Sequence, residues 1–341
     1  MSRAVKFLYL TQEQTIDCGA ADMVETIHAV EKVFRMLDDG ECIEPQAPII
    51  HWNGTHRRRI SMHPAYVGGD IQVTGIKWIP SNPENPVKRG MPRSNALTIL
   101  NDPETGFPLA VMDGTVISAM RTGAVAGVGA KYLARPDAEI VGLIGAGVIN
   151  RTQLMALHAS LKHLRLGRLF DLVPEKAHAF AAELGEELDL EIQVVNSAQA
   201  AVEGADVVAP ATIVGPEDRY IQPEWIKKGA YLANLSVNDY TPAAVQVCDM
   251  IVVDHKKQLE RPGPILSDMV TDGLLARDDI LEIGAIVNGK LPGRTREDEC
   301  IFFSPLGMGI EDLINAHRVY QEARRRGIGQ ELELWHEPLW T

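Results

Sequence analysis

Cysteine is scarce: four in 341 residues, at Cys18, Cys42, Cys248 and Cys300, and no two form a C-x-x-C pair. That spacing excludes a zinc ribbon or a disulfide framework, so no metal is expected. Isolated, mostly buried thiols fit a reducing compartment, and a cytoplasmic protein is expected. No apolar run approaches the ~20 residues of a membrane span, so no membrane partner is expected either. The opening stretch "MSRAVKFLYLTQEQT" has one short apolar patch and no small-residue cleavage site. It reads as a first strand, not a leader. Positive charge is also short. Lys and Arg number 33 against 46 Asp and Glu, a net charge of −13. That balance opposes non-specific binding to nucleic acid, which needs a basic footprint. It leaves open a small anionic ligand, which needs only a local positive pocket.

What is present suits a soluble globular chain of about two domains: 45% apolar and 23% charged residues. "MVETIHAVEKVFRML" (23–37) has helical spacing, with Val24, Ile27, Val30, Val33 and Phe34 on one face. Strand-like runs follow: "RISM", "IQVTGIKWI", "ALTIL" and "PLAVMD". The turn-rich "NDPETGFP" between the last two reads as a hairpin loop. This part predicts a mixed α+β domain with a mostly antiparallel sheet. "ISAMRTGAVAGVGAKYLA" (117–134) predicts a helix of small residues leading into a second domain.

From about residue 138 strands and helices alternate: "EIVGLIG", "VINRTQLMALHASL", "LGRLFDL", "PEKAHAFAAELGEEL", "EIQVV", "SAQAAVEGA", "DVVAPAT". "GAYLANLS", "MIVVDH" and "CIFFS" (300–304) complete the strands, with "CIFFS" taken as the last. Such alternation predicts an α/β fold with a doubly wound parallel sheet. The helix at 309–327 is expected to return to the first domain. The expected division is 1–125 with 310–341, for substrate binding and dimerisation, and 126–309, a Rossmann-type dinucleotide-binding domain.

The second domain opens on a glycine turn: Gly145, Ala146, Gly147, Val148, Ile149 and Asn150 give G-x-G-x-x-N between a strand and a helix. Gly145 permits the tight turn, and Gly147 lets backbone approach a pyrophosphate at the helix N-terminus. Asn150 stands where Gly or Ala usually governs close packing of helix on strand. Asp171 ends the next strand, 24 residues beyond Gly147, near the roughly 20 expected of an acid that binds the adenosine ribose. A carboxylate there accepts from the ribose hydroxyls and repels a 2′-phosphate, which favours NAD over NADP. The bland alternative is an ordinary strand-to-helix turn with a surface Asp.

Three charged residues have unusual surroundings. Lys77 lies between Ile76 and Trp78 in a run that otherwise reads as buried, and ionised lysines are seldom buried without a partner. Arg121 begins the small-residue stretch "RTGAVAGVGA", and Asp239 follows a strand in "ANLSVNDYTP". Each has a structural alternative: a snorkelling edge lysine, an ion-paired arginine and a turn aspartate.

"GIKW", "LAVMDGTVISAMRTGAVAGVGAKYLA", "VGLIGAGVINRTQ", "ANLSVND" and "SPLGMGIEDL" together resemble the ornithine cyclodeaminase/mu-crystallin family over nearly the whole chain. The resemblance implies an NAD-dependent oxidoreductase acting on an amino-acid-derived substrate, and a homodimer formed through the first domain's sheet. It implies catalytic roles for Lys77 and Asp239, a substrate-carboxylate grip for Arg121, and cofactor contacts for Gly145, Gly147 and Asp171, with Thr122 near the phosphates and Ser304 near the nicotinamide. Cyclodeaminases carry a further substrate arginine before the lysine, for which Arg58 or Arg59 is the candidate. The run 75–118 is most similar to members that oxidise a conjugate bearing three carboxylates. Such a pocket needs extra cations, and Arg89 or Arg93 is expected to reach the ligand. The family also holds cyclodeaminases, amino-acid dehydrogenases and binding proteins without turnover, and these remain rivals.

Overall fold

The computed structural model describes residues 4–52 and 55–340. In chain order, the strands begin with β1 (Val5–Leu10), β2 (Cys42–Ile43), β3 (Ile49–Trp52), β4 (Thr55–Val67), β5 (Val73–Ser81), β6 (Leu97–Asn101) and β7 (Pro108–Asp113). Then come β8 (Ile140–Ile144), β9 (Leu166–Phe170), β10 (Glu191–Val194), β11 (Val207–Pro210), β12 (Tyr231–Ala233), β13 (Met250–Val253), β14 (Ile280–Glu282), β15 (Ile301–Phe303) and β16 (Gln330–Trp335). The chain divides into two compact units, Met1–Arg121 with Met308–Thr341, and Thr122–Gly307.

The first unit is built on a sheet ordered β16-β1-β7-β6-β5-β4-β2, with β3 also paired to β4. All its pairs are antiparallel except β1 with β7. One face is covered by helix α1 (Met23–Asp38) and by a C-terminal helix, Gly309–Arg326, which packs on α1 and on β4, β5 and β6. The Asp22 carboxylate accepts from the Glu25 amide and caps α1. Ile27, Val30, Val33 and Phe34 are buried as expected, but Val24 is exposed. The place four residues before Ile27 belongs to Met23, which is buried; Val24 lies at the edge of the apolar stripe.

Alternation along β5 reverses the expected burial around Lys77. Side chains i and i+2 share a face. Val73 and Lys77 point under the helices, whereas Ile76 and Trp78 point the other way. Lys77 is 1% exposed and Trp78 is 38% exposed. "CIFFS" is likewise not the last strand. "QELELW" (330–335) forms β16, antiparallel to β1 at the sheet edge. Its mix of glutamates and leucines suits a mostly exposed edge strand and escapes a search for apolar runs.

The second unit carries the sheet β10-β9-β8-β11-β12-β15-β13-β14, parallel throughout. Its strands are nearly all buried, as strands covered on both faces must be. Helix α2 (Thr115–Leu133) contains the division between units, and α3 (Val148–Ser160) and α4 (Pro174–Leu188) follow the first two strands of the sheet. Pro174 starts α4 in the position where its missing N–H is harmless. The C-terminal helix Gly309–Arg326 is α5. Among the described residues no helix is long and apolar enough to cross a membrane.

Candidate active site

In the first unit, Lys77 and Arg121 share one pair of acids. The Lys77 Nζ donates to Asp312 Oδ2 at 2.7 Å and to Ser118 Oγ at 3.3 Å. Arg121 Nε donates to the other oxygen, Asp312 Oδ1, at 3.2 Å, and its Nη1 to Glu311 Oε2. Ser118 and Arg121 sit three residues apart on α2 and so share a helix face. All four charged side chains are buried.

The acids are delivered by the start of α5. Glu311 and Asp312 lie in its first turn, where a helix favours negative charge. The buried Glu44 carboxylate accepts from the amides of Gly309 and Ile310, both at 3.0 Å, and pins that end of the helix. Gly309 is needed for the approach: a Cβ there would lie 2.7 Å from the His63 carbonyl oxygen. His63 is the β4 partner of Lys77. The helix therefore lands on the strand pair that bears the lysine.

Burial first, then the Arg121 charge, pulls the Lys77 pKa down to about 8, against the upward pull of Asp312. Sharing Asp312 with a guanidinium limits what that carboxylate gives back. For Arg121, burial opposes the charge, but the two carboxylates outweigh it and hold its pKa above the usual range. The result is one fixed cation and one lysine able to exchange a proton near neutral pH.

In the second unit, Gly145 has φ +96°, and a Cβ there would meet the Ala211 carbonyl oxygen at 2.9 Å. Gly147 precedes α3 with extended backbone, and a Cβ on it would meet nothing within 4 Å. The helix N-terminus thus opens on free space with its first amides unspent, as a pyrophosphate needs. Asn150 is fully buried and has a specific task. Its Nδ2 donates to the carbonyls of Ile144 at 2.9 Å and Gly145 at 2.6 Å, while its Oδ1 accepts from Gln153. The asparagine at the third position braces the turn from inside instead of thinning the helix–strand contact. Asp171 Oδ2 accepts from the Ala146 amide at 2.7 Å, and Oδ1 from the Val173 amide at 2.8 Å. Val148, Leu172 and Ile213 stand exposed near the carboxyl ends of β8, β9 and β11. A Gly-rich turn, an acid at the end of β9 and exposed apolar side chains are the donor set and surface that suit a dinucleotide.

Asp239 is fully buried beyond β12. Its Oδ1 accepts from Thr212 Oγ1 and from Tyr220 OH at 2.9 Å, and its Oδ2 from Ser236 Oγ. Burial and then the Asp239 charge push the Tyr220 phenol up, which keeps it a donor. Val237, two residues earlier, has φ +69°, a conformation β-branched residues rarely adopt and one concentrated at functional loops. Ser304 is buried; its Oγ accepts from Asn234 Nδ2 at 2.9 Å, and its amide donates to the Val252 carbonyl. Thr122 is half-buried on α2.

The four candidate arginines separate. Arg58 donates to Glu84 at 2.6 Å, on a carboxylate that also takes Lys88 at 3.1 Å. Its even position on β4 puts it on the face away from Lys77. Arg89 lies on the exposed helix Asn85–Arg89, 3.4 Å from the Asn85 side chain. Arg59 pairs in register with Ser81, four residues from the His63–Lys77 pair, and so shares the lysine's face. Arg93 reaches the same point, its Nε donating to Ser81 Oγ at 3.3 Å.

Sequence reasoning passed over Glu311, Asp312, Glu44 and Ser118. One signal was available: "GIEDLINA" places two adjacent acids in an otherwise apolar helix start, and two buried cations require buried anions.

The model of the ornithine cyclodeaminase/mu-crystallin family matches residues 10–327. The N-((2S)-2-amino-2-carboxyethyl)-L-glutamate dehydrogenase of Staphylococcus aureus is 31% identical over 335 residues, covering 97% of this chain and 99% of the relative. The structure of Thermococcus litoralis Δ1-pyrroline-2-carboxylate reductase in complex with NADH and L-proline matches with a TM-score of 0.87 at 33% identity, over 95% of this chain and 99% of that one. An archaeal alanine dehydrogenase dimer with bound NAD matches with a TM-score of 0.86 at 29% identity, over 97% and 100%.

Proposed function

The chain belongs to the ornithine cyclodeaminase/mu-crystallin family, and from that premise we propose that it oxidatively hydrolyses N-(2-amino-2-carboxyethyl)-L-glutamate to 2,3-diaminopropionate and 2-oxoglutarate. It is an NAD-dependent oxidoreductase acting on an amino-acid substrate. The observation that carries the choice of substrate is the likeness to the Staphylococcus aureus dehydrogenase over 97% of the chain. The run Gly75–Ser118, which holds Lys77, lies inside it.

Bound NAD⁺ supplies hydride acceptance from the glutamate-side Cα. The protein's own residues do the rest. Arg121 grips the carboxylate beside the reacting carbon, displacing part of its hold on Glu311 and Asp312. Asp239 takes the proton that the secondary amine must lose before its nitrogen lone pair can form the C=N bond. Lys77, with its pKa near 8, removes a proton from the water that adds to that bond. It returns a proton to the departing nitrogen as the C–N bond breaks. One water is consumed, and the products are the keto acid, the diamino acid, NADH and a proton.

The first unit holds the substrate and the second holds NAD. The chain works as a homodimer through the open face of the first unit's sheet, where Ile50, Trp78 and Leu97 stand exposed. The alanine dehydrogenase relative is itself a dimer.

The test is NAD⁺ reduction with product analysis across the conjugate, L-alanine, L-ornithine and L-lysine. NADH with 2-oxoglutarate from the conjugate and no ammonia is expected. NADH with ammonia from alanine, or proline from ornithine without net NADH, would replace this reading. NADH binding with no turnover of any of them would make the chain a binder.

A further inference from the structure

Arg59 and Arg93 have no carboxylate partner among the described residues. Arg93 donates to a hydroxyl, Ser81 Oγ, and among the described residues no acid pairs with the Arg59 guanidinium. Both are half-buried. Burial lowers the pKa of each, and the Arg59 charge lowers that of Arg93 further, so the two guanidiniums stand close enough to repel. Two like charges held together away from full solvent, with nothing negative between them, are costly unless an anion joins them. Arg121, Arg58 and Arg326 of this unit each hold an acid, whereas Arg318 rests on the Gly19 carbonyl.

The position is informative. Ser81 lies four residues along β5 from Lys77 on the same face, about 13 Å of strand. Two extended arginine side chains and the carbon chain of a bound acid can span that distance. The pair therefore lies in line with the lysine, on the face where Arg121 also points.

We infer that Arg59 and Arg93 form a second anion subsite, which clamps a carboxylate of the substrate remote from the reacting carbon. The inference rests on the reading that this unit holds a polyanionic amino-acid conjugate, and it narrows that reading: a substrate with one carboxylate leaves the subsite empty. Arg58 and Arg89 take no part. Guanidinium suits the task because it offers two parallel N–H donors to one carboxylate.

The experiment measures binding to the NADH-loaded protein by calorimetry, with 2-oxoglutarate and 2-oxobutyrate as probes. They share the keto-acid head and differ in the second carboxylate. Wild type should bind 2-oxoglutarate at least about tenfold more tightly. Arg59→Gln and Arg93→Gln should each weaken 2-oxoglutarate by about 10- to 100-fold, the worth of a charged hydrogen bond, and leave 2-oxobutyrate unchanged. Arg93→Lys should recover part of the loss. Equal affinity for the two probes in wild type would overturn the subsite, as would variants that weaken both probes alike. The readout is independent of which conjugate turns over. If the conjugate proves not to be a substrate but the variants behave as stated, the subsite stands and the substrate reading falls. If the conjugate turns over and the variants change nothing, the subsite falls and the reading stands.

Discussion

Lys77 carries two demands that its neighbours reconcile. An ammonium under a helix needs a counter-charge, and a proton carrier must be free to lose its charge. Asp312 satisfies the first in part because it also serves Arg121. Asp312→Asn therefore leaves two buried cations with one acid, and unfolding in urea should show a loss of about 3–5 kcal/mol. Lys77→Met leaves two buried acids with one cation and should also lower stability, but turnover of the protein that remains folded should fall at least about 100-fold. Turnover per folded molecule close to that of the wild type would make the lysine structural. The pH dependence has a definite sign. The folded-state pKa of Lys77 is about 8, below its ordinary 10.5, with burial as the chief cause. Between those values the unfolded chain binds more protons, so this group's contribution makes stability rise with pH through that window. If neutral Lys77 is the active form, kcat should rise with pH through a limb near 8. Asp312→Asn removes an upward pull and should move that limb to lower pH.

At the scale of an element, the glycine turn shows how one polar side chain can substitute for a missing glycine. The usual small residue lets helix and strand approach; here Asn150 enters the gap and bonds both carbonyls at the end of β8. Asn150→Ala takes the side-chain donor from both carbonyls, of which Ile144 keeps the Ala211 amide. It should cost about 1–3 kcal/mol in thermal or urea unfolding and weaken NADH binding, measured by fluorescence titration, because the amides of the turn lose their bracing. Unchanged NADH affinity alongside lost stability would confine Asn150 to a packing role. The C-terminal helix makes the same point from the other side. Gly309 and the Glu44 cap place Glu311 and Asp312 over β4 and β5, so the site depends on where α5 begins as much as on what it carries.

Across the whole molecule, the first unit's sheet has two unlike faces. One lies under α1 and α5. The other shows Trp78 and Leu97, neighbours in register and 38% and 47% exposed. A partner copy would cover them. In sedimentation velocity the wild type should run at twice the 37.4 kDa of one chain, and Trp78→Glu should shift it toward the monomer. A monomeric wild type would remove the proposed dimer.

Local information was enough for much of this protein. Strand-and-helix alternation, the glycine turn, the acid at the end of β9 and the oddity of a lysine in "GIKW" all depend on residues within a few dozen positions of one another. The alternation of a strand implies that Lys77 and Trp78 face opposite ways, although the run by itself reads as buried throughout. It could not state which face would be covered, because the cover arrives with α5, 235 residues beyond Lys77 at Asp312. The same long-range step chose the counter-ions of Lys77 and Arg121. Strand register separated Arg59 from Arg58, and a hydrogen bond to Ser81 set Arg93 apart from Arg89. Charge and polarity are properties of a residue, but burial and partnership belong to pairs, and pairs distant in the chain are set when the elements pack.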